Sequence, residues 1–169
     1  MRTRVIAEVA SNHGGDIDFA EECIRQCADV GADIVKFQSY QVKHLNPADP
    51  QYDWLKRAEL SDADHERLLR RCEKEGVQFL TTAFHEDRVP FLASLGIPAI
   101  KVGSGEARKS ALIEAIVASP CELWASSGLA TWPAEANVRF HCMSLYPTQL
   151  EQACLRLLVR PLDGARVGW

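Results

Sequence analysis

What this chain lacks narrows its chemistry first. It has no run of Lys and Arg, and its formal net charge of −4 over 169 residues gives no electrostatic reason to expect nucleic acid or a membrane surface as partner. No apolar stretch is long enough to span a bilayer. Met1-Arg2-Thr3-Arg4 runs straight into strand-like Val5-Ile6-Ala7 with no apolar signal core, so a cytoplasmic setting is expected. None of the six cysteines forms a CxxC pair of the zinc-binding kind. Cys23 and Cys27, four apart on a predicted helix, read as reduced, half-buried residues rather than a disulfide. The five histidines show no spacing that makes a metal triad, and His141 reads as a satisfied core residue. Finally, no GxGxxG follows the first strand, where a dinucleotide-binding fold would need it.

What is present is an alternation of short apolar strands and amphipathic helices. Strands are predicted at 5–10, 34–39, 77–82, 97–102, 122–126, 138–143 and 165–168. Helices are predicted at 18–30, 61–74, 86–94, 110–118 and 149–159, and a polar segment with two prolines, 41–59, reads as a long loop. Ser61 is the expected N-cap of the second helix, with Asp64 at the capping-box position. Alternating strands and helices imply parallel strands, and strands that are apolar throughout imply burial on both faces. The expected fold is an α/β, incomplete TIM (β/α)8 barrel of about seven parallel strands, since 169 residues fall short of the roughly 250 of a typical barrel. One connection is too short. Only Trp132-Pro133-Ala134-Glu135-Ala136-Asn137 separates Thr131 from Val138, whereas a parallel crossover needs about a dozen residues or more. Either a helix is missing there, leaving apolar surface on the fifth and sixth strands uncovered, or those strands do not pair in the usual way.

Polar residues gather at the C-terminal ends of successive strands, where barrels build their active sites. In order they are Glu8; Lys36 and Gln38; Thr81 and Thr82; Lys101, Ser104 and Glu106; Ser126 and Ser127; then His141, Ser144 and Tyr146. Lysine is almost never buried without a partner, so two lysines inside apolar strands suggest an anion site. With hydroxyls and the N–H groups of Gly103-Ser104-Gly105 they suit a phosphate and a carboxylate. His13, in the loop after the first strand, is placed to orient that loop through a hydrogen bond.

Six ordered runs carry a resemblance. They are Ile6-Ala7-Glu8-Val9 with Asn12-His13-Gly14-Gly15, Val35-Lys36-Phe37-Gln38, Phe79 to Phe84, Lys101 to Glu106, Ser126 to Thr131, and His141-Cys142 with Tyr146-Pro147-Thr148. In these the chain resembles the N-acetylneuraminate (sialic acid) synthase family, which includes the legionaminic and pseudaminic acid synthases. The resemblance implies a phosphoenolpyruvate-dependent transferase that condenses phosphoenolpyruvate with an N-acetylated amino sugar of the N-acetylmannosamine type. It implies that Lys36, Thr82, Lys101, Ser104, Ser126 and Ser144 hold phosphoenolpyruvate; the Ser144 position is often asparagine in the family. It further implies that Gln38, Glu106 and Tyr146 face the sugar and that Glu8 lies near the metal and the reacting carbons. A divalent metal, Mn or Mg, is expected for a complete member, with its ligand histidines in positions beyond Trp169. The family's C-terminal antifreeze-like domain, which reaches across a homodimer, would likewise lie outside this single truncated barrel domain of residues 1–169. The rival expectations are a degenerate, inactive fragment that binds an anion or a partner protein, and an aldolase using Lys36 or Lys101 as an imine-forming amine.

Overall fold

The structure is a computed structural model, and it describes residues 2–145, 147–155 and 166–169. Seven strands form one sheet in chain order: β1 (Ile6–Ala10), β2 (Ile34–Ser39), β3 (Gln78–Ala83), β4 (Ala99–Val102), β5 (Glu122–Ser126), β6 (Val138–Phe140) and β7 (Arg166–Gly168). Each neighbouring pair is parallel. Among the described residues five α-helices accompany them: α1 (Ile17–Asp29), α2 (Tyr52–Ala58), α3 (Asp62–Glu75), α4 (Val89–Ser94) and α5 (Ser110–Val117). The expected α/β half-barrel is therefore the observed one. Among the described residues no helix is long and apolar enough to cross a membrane.

The period of two along each strand builds two cores. Val35, Phe37, Phe79, Ile100, Val102, Leu123 and Ala125 face outward and pack with helix residues such as Ile24, Leu68, Leu92 and Ile116. The alternate positions, Ile34, Leu80, Ala99, Trp124, Val138 and Phe140, face inward and gather as a second apolar cluster with Ile6 of β1. Inner residues of β1 to β6 share that cluster because the sheet curls as a barrel wall does.

Local signals place the helices. Ser61 Oγ accepts from the Asp64 N–H at 3.1 Å, and the Asp64 carboxylate accepts from the Ser61 N–H at 2.9 Å, so aspartate completes the capping box of α3. Gly76 closes that helix at φ +72, a left-handed conformation that glycine adopts without cost. Ser61→Ala removes the cap and is expected to cost about 0.5–2 kcal/mol. A urea unfolding midpoint equal to wild type would show that the cap contributes nothing.

Two expectations need correction. Segment 41–59 is not a plain loop: it holds a 3-10 turn, Val42–His44, and α2. Pro47 and Pro50 precede α2 rather than interrupt it, and the helix is held from outside, where Tyr40 Oη donates to the Leu55 carbonyl at 2.7 Å and Ala58 is buried. The second correction concerns the cover of β5 and β6, since the crossover helix is indeed missing as expected. They pair in the usual parallel way, Trp124 with Val138 and Ser126 with Phe140, and residues 127–137 connect them without a helix. The outer face of β5 is nonetheless covered. Trp132 and Ala136 pack on the cluster that contains Leu123 and Ala125, and the Trp132 indole N–H donates to the Phe140 carbonyl at 2.8 Å. Asn137 finishes the link by gripping Leu123, with its N–H on the Leu123 carbonyl and its Oδ1 accepting from the Leu123 N–H, both at 2.8 Å. Of the predicted helix at 149–159, the described part shows a 3-10 turn at Leu150–Gln152, and the remainder lies outside the described residues.

Candidate active site

Above the inner apolar layer, two residues further along each strand, the inward positions turn polar. Glu8, Lys36, Thr82, Lys101 and Ser126 follow Ile6, Ile34, Leu80, Ala99 and Trp124 in the same strands. Strand register sets who meets whom. Glu8 stands opposite Lys36, and Glu8 Oε2 lies 2.5 Å from the Lys36 Nζ. Lys36 is opposite Leu80, so its ammonium leans along the strand and donates to Thr82 Oγ1 at 3.0 Å. Lys101 is opposite Trp124 and makes the same move, donating to Ser126 Oγ at 2.7 Å. Thr82 and Lys101 are register partners, which joins the two lysine–hydroxyl pairs into one row.

The two ammonium groups differ in electrostatics. Lys36 is buried and has the Glu8 carboxylate as counter-ion. Lys101 has no carboxylate within ion-pair distance among the described residues. Burial first, and the Lys36 cation second, pull its ammonium down to about 8, against a weaker upward pull from Glu8. The Phe140 ring, 5.5 Å from Lys101 Nζ, forms part of its wall. A buried row holding two cations and one carboxylate retains one positive charge for an anion to neutralise.

Gln38 follows Lys36 on the same face of β2, whereas Ser104, Glu106 and Ser144 sit on loops beyond the strand ends. Ser104 Oγ lies 3.4 Å from Ser144 Oγ, so the loops after β4 and β6 meet there, and no contact places Ser104 between the lysines. Gly128, at φ +146, permits this approach: a Cβ would fall on Ser144 Oγ and the Cys142 side chain. Glu106 folds back over Gly103, where a Cβ would stand 2.7 Å from its Oε2, and its Oε1 is 3.8 Å from Lys109 Nζ. Gln38 accepts from Ser11 Oγ at 2.8 Å. Tyr146 lies outside the described residues. Beyond the ends of β5 and β6 an open cleft of about 760 Å³ is lined by Arg108, Ser127, Thr131, Trp132, His141 and Cys142, and neither lysine lines it.

Some residues behave differently from their sequence signal. Thr81 is buried and faces outward among the helices, its hydroxyl without a partner, so only Thr82 of that pair joins the row. His13 is buried and its Nδ1 accepts the Gly15 N–H at 3.1 Å, the loop-orienting bond expected of it; burial pulls its pKa down, which keeps the ring a neutral acceptor. His141 is buried with Nε2 3.1 Å from the Ala153 carbonyl, a satisfied core histidine. Cys23 and Cys27 are free and half-buried. Sequence reasoning missed Ser11, whose signal was its place immediately after β1. There the register slips between Glu8 and Ala10, and Ala10 takes φ +52, uncommon for a residue with a side chain.

The chain is similar in sequence and fold to known proteins. The sequence model described as the NeuB family matches residues 23–138, well over half of the chain. The chain belongs to that family. It is 29% identical over 190 aligned positions to an N,N'-diacetyllegionaminic acid synthase of Legionella pneumophila, covering 94% of this chain and 53% of that protein. It is 29% identical to the N-acetylneuraminate-9-phosphate synthase of Homo sapiens, covering 91% of this chain and 50% of that one. A crystal structure of an N-acetylneuraminic acid (sialic acid) synthetase from Leptospira borgpetersenii, in complex with citrate, superposes with a TM-score of 0.86 at 26% identity, covering 94% of this chain and 60% of that chain. The chain thus spans about half the length of the curated relatives it matches. The Legionella alignment runs to 190 positions while this chain has 169 residues, so that relative carries residues within the matched stretch that this chain lacks.

The residues of the row do not by themselves fit a divalent metal. Glu8 is its one carboxylate and is engaged by Lys36, while the lone pair of His13 Nδ1 is taken by Gly15. Among the described residues, the one group of three His, Cys, Asp or Glu side chains able to converge on an ion is His44, His85 and Asp87, at the ends of β2 and β3.

Proposed function

We propose that this chain forms the phosphoenolpyruvate-holding wall of a nonulosonic (sialic-type) acid synthase, a cytoplasmic transferase that joins phosphoenolpyruvate to an N-acetylmannosamine-type sugar and releases phosphate. The observation that carries this reading is the row of Lys36 with Thr82 and Lys101 with Ser126: two cations and two hydroxyls on the inner wall, with one unneutralised charge. In this reading the ammonium groups take the phosphate and carboxylate oxygens, and Thr82, Ser126, Ser104 and Ser144 donate hydroxyl hydrogen bonds around them. Gln38, Glu106 and Tyr146 address the sugar. Glu8, exposed on its upper side and paired with Lys36 below, borders the carbons that react. The overall change forms one C–C bond from C3 of phosphoenolpyruvate to the sugar aldehyde, adds water at C2 and frees inorganic phosphate. A divalent metal would supply Lewis-acid polarisation of the aldehyde, and the row described here does not supply its ligands.

Calorimetric titration of phosphoenolpyruvate into this chain tests the reading, with saturable binding that inorganic phosphate competes for as the expected result. Absence of binding would favour the degenerate-fragment alternative. Because the row offers no free ligand set for a metal, this chain with phosphoenolpyruvate, N-acetylmannosamine and Mn²⁺ is expected to release no more phosphate than a no-protein control. Metal-dependent release above that control would show that the chain assembles a complete catalytic centre.

A further inference from the structure

A second cluster of ligating groups stands at the ends of β2 and β3, apart from the lysine row. The two strands are in register to their last residues, Ser39 opposite Ala83, and the Phe84 N–H continues the ladder onto the Ser39 carbonyl at 3.2 Å. The loops that follow therefore leave the sheet side by side, and each at once forms a 3-10 turn, Val42–His44 and Glu86–Arg88. These turns carry His44, His85 and Asp87 to one place. His44 Nε2 lies 2.8 Å from Asp87 Oδ2, and His85 Nδ1 lies 3.3 Å from Asp87 Oδ1. The two imidazoles stack face to face with centroids 3.7 Å apart. One ligand atom from each residue falls within 4.8 Å of the other two.

We propose that His44, His85 and Asp87 bind a first-row divalent cation of the Zn²⁺, Co²⁺ or Ni²⁺ class, which ties the loop after β2 to the loop after β3. Two imidazoles and a carboxylate are the donors such ions favour, and three protein ligands leave a position for water. Glu86 Oε2, 3.4 Å from His85 Nδ1, brings a second carboxylate to the same edge. Asp87 offers both carboxylate oxygens to this place, Oδ2 toward His44 Nε2 and Oδ1 toward His85 Nδ1. The competing group is Lys43, whose ammonium sits 2.8 Å from Asp87 Oδ2 on an exposed side chain. A divalent ion brings twice the charge to the same oxygen and displaces it, while the partly exposed histidines splay from their stack and His85 gives up the 3.5 Å hydrogen bond that its Nδ1 accepts from the Asp87 N–H.

The test is calorimetric titration of Zn²⁺ into the full chain, repeated on single variants with circular dichroism as a folding control. One saturable site is expected in wild type. His44→Ala, His85→Ala and Asp87→Asn should each bind at least about tenfold more weakly, since even partners one shell beyond a metal's ligands are worth roughly 10–100-fold. Lys43→Ala should bind severalfold more tightly, a gain that a folding defect cannot imitate. Zn²⁺ binding that persists in both histidine variants would belong to the free thiols and overturn the assignment, as would no binding in wild type. Weaker binding by Lys43→Ala would overturn the claim that its ammonium occupies the ion's place.

Discussion

Lys101→Ala is expected to weaken phosphoenolpyruvate binding by roughly ten- to a hundredfold, because a hydrogen bond to a charged group is worth about 1.5–3 kcal/mol. Lys101 should matter more than its exposure suggests, since among the described residues no carboxylate neutralises it whereas Glu8 already neutralises Lys36. The same residue sets the pH dependence. Its ammonium titrates at about 8, pulled down by burial and then by Lys36, and a bound phosphate would pull it back up. Affinity should therefore hold steady below pH 8 and fall as pH rises through it, a decline that Lys101→Ala would abolish. Stability of the unliganded chain should move the other way. An amine with a depressed folded pKa costs stability while the folded state keeps it protonated, so stability rises from about pH 8 toward the ordinary lysine value of about 10.4, where the unfolded chain binds more protons. Titration calorimetry at pH 7 and 9 on both proteins checks the first trend, and urea unfolding checks the second. Equal affinity in the two proteins would show that Lys101 does not hold the phosphate. Covalent trapping of pyruvate on Lys101 by borohydride would instead favour an imine-forming aldolase, for which a lowered amine pKa is also the prerequisite.

The lysine row was legible because strands have a period of two. Once Ile34 and Ala99 face inward, Lys36 and Lys101 must follow them, and the same parity sends Thr81 outward although it adjoins Thr82. The N-cap of α3 was legible too, since Ser61 and Asp64 act within four residues of each other. What the sequence hid depends on distant partners. Helix α2 rests on Tyr40 and on buried Ala58, contacts that no local pattern announces. His44 and Asp87 stand far apart in the chain and meet only through the β2–β3 register, so a search for histidine spacing passes over them. The link after β5 was read correctly as lacking a helix, but its cover was hidden for a related reason. Its residues look like a deletion, and their compensating contacts run to Phe140 and Leu123 across the sheet.

That compensation makes Trp132→Ala a strongly destabilising substitution. The indole occupies the outer side of β5, where a barrel ordinarily places a crossover helix, and it packs on the cluster holding Leu123 and Ala125. Removing it uncovers those side chains and leaves the Phe140 carbonyl without its 2.8 Å donor. Burying a tryptophan fully is worth about 3–5 kcal/mol against alanine, and Trp132 is half-buried, so a loss of about 2–4 kcal/mol is expected. Trp132→Phe separates the two contributions. It keeps most of the apolar cover, gives up the hydrogen bond, and should cost nearer 1 kcal/mol. Urea unfolding of the three proteins measures the difference, and binding of a hydrophobic dye should increase in the alanine variant as the β5 face opens. The ladder between β5 and β6 has three register pairs, and residues 127–137 are its one covalent connection, so loosening of the link should also weaken phosphoenolpyruvate binding through Ser126. If Trp132→Ala unfolds at the wild-type midpoint, the link is a passive tether and the outer face of β5 is held by α5 alone.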